Sequence, residues 1–106
     1  MFARNVSLRL KPNTLSEFTK TLEKDVLPIL RKQPGFCDEI TLAFEGETDV
    51  TAISLWDSME HAEAYNTAAC PEVLMRLDKV LDGPPTVRVS TVINSTVHKI
   101  AAGIAA

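Results

Sequence analysis

The chain predicts one α+β domain with the element order β-α-β-β-α-β, a four-stranded antiparallel sheet and its helices on one face. Three observations lead there. Strand-like alternation opens the chain and a β-branched run closes it, two helical stripes lie between them, and Pro or Gly marks every boundary except the one at Asp57-Ser58. At 106 residues, with 45% apolar and 24% charged residues, the chain has the size and composition of a single globular domain.

The elements follow in order. In Phe2–Leu10 the positions Phe2, Val6, Leu8 and Leu10 are apolar, and Asn5, Ser7 and Arg9 alternate with them. Lys11-Pro12-Asn13 ends this strand. Thr14 with Glu17 matches a capping box, and Leu15, Phe18, Leu22, Val26, Ile29 and Leu30 form an apolar helical stripe. Pro28 lies inside that stripe, lacks a donor, and is expected to kink the helix or tighten its last turns. Gln33-Pro34-Gly35 closes it. Phe36–Phe44 reads as a strand with Phe36, Ile40, Leu42 and Phe44 on one parity, followed by a Gly-containing hairpin loop over 45–49. Val50–Trp56 is apolar on both parities. Asp57 or Ser58 is placed to cap a short helix carrying Met59, Ala62 and Tyr65 on one side. Pro71 suits the first turn of another, striped by Val73, Leu74, Leu77, Val80 and Leu81. Asp82-Gly83-Pro84-Pro85 stops it, and Thr86–Val97 reads as the last strand. Residues 1–100 are expected to form the domain and 101–106 an Ala-rich tail.

Two right-handed βαβ crossovers put both helical units on one face, a ferredoxin-like arrangement. The other face is expected to be covered as well. Val50–Trp56 lacks the clean alternation of a strand with one wet face, and Val92, Ile93 and Val97 repeat the pattern. A homodimer pairing two helix-free faces is the simplest cover.

Composition also excludes. The net charge of −3 and the absence of any Lys/Arg run argue against nucleic acid and anionic membrane as partners. The opening MFARNVSLRL lacks the apolar core of a signal peptide, and no apolar run approaches a membrane span, so a soluble, cytoplasmic protein is expected. Cys37 and Cys70 form no CxxC pair and read as ordinary thiols. His61 and His98 have no acidic or Cys neighbour at chelating spacing, so no metal site is expected.

No catalytic motif stands out, and four residues remain unusual for their places. Asn5 sits mid-strand, where it either meets a ligand carbonyl or faces solvent. Trp56, the only Trp, ends a strand where a helix begins and reads first as packing. Tyr65, the only Tyr, is placed either to bind a substrate oxygen or to rim the core. His61, one turn earlier, is expected on the same helix side, as a candidate base or a solvated imidazole.

Val26–Phe36 (VLPILRKQPGF), the hairpin after it, and Leu55–Tyr65 (LWDSMEHAEAY) together resemble the antibiotic biosynthesis monooxygenase superfamily. The likeness spans nearly the whole chain. It implies a dimeric α+β barrel with a pocket between each sheet and its helices, and cofactor-independent oxidation of quinols or polyketide aromatics. For this chain it implies His61 and Tyr65 as catalytic residues and Asn5 and Trp56 as substrate-binding residues around one cavity, with no cofactor. The haem-degrading branch fits poorly. Its strand-one Asn matches Asn5, but Tyr65 stands where that branch has Trp, and its axial His falls near Arg76 or Leu77. No His lies between Glu63 and Arg88 to ligate iron. The competing class is a non-catalytic dimeric module that binds a small apolar ligand or serves a structural role.

Overall fold

The computed structural model describes residues 1–44 and 48–100. The central hairpin loop expected at 45–49 lies mostly outside them, as does the Ala-rich tail. The strands are β1 (Phe2–Arg9), β2 (Phe36–Ala43), β3 (Asp49–Trp56) and β4 (Thr86–Thr91), all antiparallel, in the order β2-β3-β1-β4. The helices are α1 (Leu15–Thr21), α2 (Leu27–Arg31), α3 (Met59–Ala68) and α4 (Cys70–Leu77), and a 3₁₀ turn over Asp78–Val80 extends α4. Phe18, Val26, Leu30, Tyr65, Val73 and Leu77 from the helices meet Leu8, Val50 and Trp56 from the sheet in one core. This is the ferredoxin-like order the sequence predicts.

Four local features differ from the sequence reading, each for an identifiable reason. The helix does begin at Leu15, but without a capping box. The Thr14 hydroxyl donates to the Lys11 carbonyl at 2.6 Å, closing the preceding turn, and Glu17 pairs with Lys79 at 3.3 Å. Pro28 widens the helix rather than tightening it. Between α1 and α2, Leu22–Val26 is a π-helical turn, in which the Leu27 N–H bonds the carbonyl of Leu22, five residues back. Proline has no N–H to offer and its ring crowds the carbonyl four residues earlier, so a wider turn relieves the conflict.

In β2 the single parity is broken by a bulge between Phe36 and Asp38. Phe36 pairs with Trp56 on the helix side, whereas Ile40 pairs with Ile53 on the other. One extra residue therefore lets both Phe36 and Glu39 point toward the helices. Finally, β4 ends at Thr91, opposite Phe2, where β1 begins. Beyond it Val92 donates to the Met1 carbonyl at 3.0 Å, and the chain turns at Ser95, whose hydroxyl accepts from the Val97 and His98 amides. His98 Nε2 then meets Asp38 Oδ2 of β2, at the opposite edge of the sheet.

Candidate functional site

Between sheet and helices lies a cavity of about 60 Å³, walled mainly by Val6, Leu8, Phe18, Leu22, Val26, Leu30 and Leu77. One end is polar. Arg4 pairs with Ser54 across β1–β3, and Ser54 with Glu39 across β3–β2, so the three form a polar row on the helix side of the sheet. Tyr65 of α3 and Cys70 of α4 close the cavity above them.

Each member is held. Arg4, only 3% exposed, donates from Nη2 to Asn66 Oδ1 at 2.9 Å, and its guanidinium carbon lies 4.9 Å from the centre of the Tyr65 ring. Ser54 Oγ accepts from Trp56 Nε1 at 2.9 Å, which satisfies the indole of a fully buried Trp. Glu39 Oε2 accepts from the Thr41 hydroxyl at 2.6 Å. Burial pushes the Glu39 carboxyl above the ordinary glutamate range against that hydrogen bond. Burial likewise pushes the Tyr65 phenol well up, so it stays protonated at neutral pH. The cavity thus sets a cation, a neutral phenol and a proton-hungry carboxylate against an apolar wall.

The four residues singled out from sequence are not brought together around it. Tyr65 lines it. Trp56 backs it: its ring stacks on Tyr65 at 5.0 Å and meets Phe36 edge-on at 5.6 Å. His61 points away, toward the turn after α2. Its Nδ1 lies 2.6 Å from Asp57 Oδ1, and the side chain is 41% exposed. The Asp57 carboxylate captures the imidazole at the start of α3 and is itself held below its usual range by that contact. Helical spacing makes His61 and Tyr65 neighbours, but it does not dictate that both enter the cavity. Asn5 faces the opposite side of the sheet, where Nδ2 donates to Ser90 Oγ at 2.9 Å and the Arg88 carbonyl at 3.2 Å. Period two allows one parity on the helix side, and Arg4, Val6 and Leu8 occupy it.

Arg4, Ser54 and Glu39 are the residues that sequence reasoning missed. Arg4 breaks the apolar parity of β1 and Ser54 that of β3, and a polar residue on an otherwise core-facing parity is the signal that marks them. Glu39 carries no such signal, because only the bulge turns it inward. Among the described residues no group of three or more His, Cys, Asp or Glu side chains is placed to hold a metal, and both cysteines are free thiols. No helix there is long and apolar enough to cross a membrane.

No family model matches the chain, and no curated protein matches it. Solved structures do. The monooxygenase from the gene ActVA-Orf6 of Streptomyces coelicolor, crystallised with nanaomycin D, is 21% identical; the match covers 92% of each chain with a TM-score of 0.75. SnoaB, a cofactor-independent oxygenase from Streptomyces nogalater, is 11% identical over 92% of this chain and 97% of that one, with a TM-score of 0.74. A protein of unknown function from Nitrosomonas europaea, NE2512, is 20% identical over 96% and 95%, with a TM-score of 0.75. Structures named as putative antibiotic biosynthesis monooxygenases match too. At these identities the likeness is one of fold.

Proposed function

We propose that this chain, which has the fold of the antibiotic biosynthesis monooxygenases, oxygenates a small aromatic phenol or quinol without a resident cofactor. The observation that carries the reading is the polar end of the cavity, where Arg4, Glu39 and Tyr65 converge on an apolar chamber. An electron-rich phenol bound there loses its proton to Glu39, whose raised affinity suits a general base. Arg4 stabilises the resulting oxyanion, and the Tyr65 O–H donates to a neighbouring oxygen. The anion passes one electron to O₂, and the radical pair recombines with a new C–O bond. Glu39 returns its proton to the peroxide, and loss of water, which takes the one hydrogen on the oxygenated ring carbon, leaves a carbonyl: one oxygen atom enters the product, and the other departs as water. The dry apolar wall keeps bulk water from quenching the anion.

Size favours a second reading. About 60 Å³ is room for a few waters, well below the few hundred Å³ of a typical ligand pocket, so a ring enters only if the wall yields. Leu22 and Val26 of the wall both lie on the π-helical turn, the irregular stretch of the helix packed over the cavity. A wall that does not yield leaves a structural or small-ligand module.

Oxygen consumption with a panel of quinols and polycyclic phenols decides between them. We expect turnover that falls by about a hundredfold or more in Glu39→Gln and Arg4→Met, and less in His61→Ala. Protein inert to the whole panel, or turnover indifferent to Glu39, sinks the oxygenase. The same reading includes a homodimer through the helix-free face, where Ile40 and Leu42 are exposed and Ile53 and Leu55 only half-buried.

A further inference from the structure

Arg4 is a buried cation without an ion-pair partner among the described residues: Glu39 lines the same inner cavity, but the two form no salt bridge. Its neighbours Asn66, Cys70 and Tyr65 are uncharged or weakly acidic. Such a charge is costly to keep in a fold unless something compensates it. Arg4 also borders a second space. On its outer side an open groove of about 310 Å³ runs between α3 and β4, and Arg4 is the residue common to the groove and the inner cavity.

The groove follows from the strand order. β4 is an outermost strand, next to β1 but beyond the cover of the helices. Val87 pairs with Val6 and Val89 with Arg4, so both valines face the helix side, yet they remain 41% and 46% exposed. They make an apolar floor. Ala62 and Asn66 form the helical wall, Arg4 closes the inner end, and the exposed Glu63 stands at the rim.

We infer that this groove binds a small flat monoanion, an aryl carboxylate or phenolate, with its ring on Val87 and Val89 and its charged oxygens directed at Arg4. The volume suits one or two fused rings. The carboxylate of Glu63 repels negative charge at the rim, which orients the ligand charge-inward and disfavours dianions. The site goes beyond the oxygenase reading and needs no turnover.

The test is titration of ¹⁵N-labelled full-length protein with 2-naphthoate and, in parallel, with uncharged 2-naphthamide, followed by amide shifts. Shifts are expected on Ala62–Asn66 and Val87–Val89, with naphthoate binding at least about tenfold tighter than the amide. Arg4→Gln should erase that preference. Val89→Asp, at an exposed position that leaves the fold intact, should abolish binding of both probes. Glu63→Gln should tighten naphthoate binding severalfold. Equal affinity for the two probes, no binding, or shifts confined to Leu22, Val26 and Leu74 in the inner cavity would each overturn the inference. Protein that binds naphthoate in the groove but consumes no oxygen keeps this site and loses the oxygenase; the reverse result does the opposite.

Discussion

Glu39 is a residue whose protonation burial in the cavity controls, and two pH dependences follow from it. As a base it acts only when ionised, so turnover should climb with pH along an acid limb lying above the ordinary glutamate value of 4.5. Glu39→Gln should remove that limb together with most of the rate. Stability moves the other way. Because the folded state holds the proton more tightly than the unfolded one, Glu39 favours folding at low pH, and that contribution is lost as pH rises from 4.5 through the raised folded value. Denaturant titrations should therefore show Glu39→Gln gaining on wild type with rising pH over that window, with the gap constant above it. A gap that widens toward acid would contradict the burial argument. Residue type alone made part of this site legible. A single Trp and a single Tyr flanking a strand–helix junction drew attention, and the structure stacks them. Arg4 was hidden because one of two arginines in a strand of eight residues looks like noise until the sheet gives it a side.

At the scale of elements, the turn joining α2 to β2 is tightly constrained. Gly35 adopts φ +79°, and a Cβ there would stand 2.3 Å from both Asp57 Oδ1 and His61 Nδ1. Its carbonyl also accepts the Asp57 N–H at 2.9 Å. Gly35→Ala thus meets backbone strain and a steric clash together, and chemical denaturation should show a loss of at least about 2 kcal/mol. Adding His61→Ala should recover part of that loss by removing one of the two clashing groups; no recovery would mean that backbone strain alone sets the cost. Element order was readable because strand and helix periods differ and Pro or Gly stands at every change but that from β3 to α3, where Asp57-Ser58 takes their place. Three features were not: the bulge in β2, the π-helical turn before Pro28 and the early end of β4. Each depends on a partner distant in sequence or on hydrogen bonds that leave no mark in hydrophobic periodicity. The start of the helix was readable to one of two residues, Asp57 or Ser58, and it is Ser58 Oγ that accepts the His61 amide, at 3.2 Å.

For the whole molecule, the helix-free face predicts association. Sedimentation at micromolar concentration should report twice the chain mass, and Ile53→Glu, which places a charge in mid-face, should shift the protein to monomer without loss of helical signal. A wild-type monomer at that concentration would refute the face-to-face pairing. Apolar residues on both parities of β3 pointed to this face, although the large apolar side chains exposed on it are Ile40 and Leu42 of β2. The strand order has a further consequence, in time rather than space. β1 leaves the ribosome before both of the strands that flank it, β3 and β4, and its Asn5 bonds Arg88, 83 residues later. Closing so long a loop is slow, and until it closes β1 offers an unpaired edge beside β3. A chain truncated before Thr86 should expose the amides of β1 to rapid hydrogen exchange and associate through that edge. The intact chain should acquire their protection in its slowest folding phase, so its period of greatest risk of aggregation lasts until the final strand has been made.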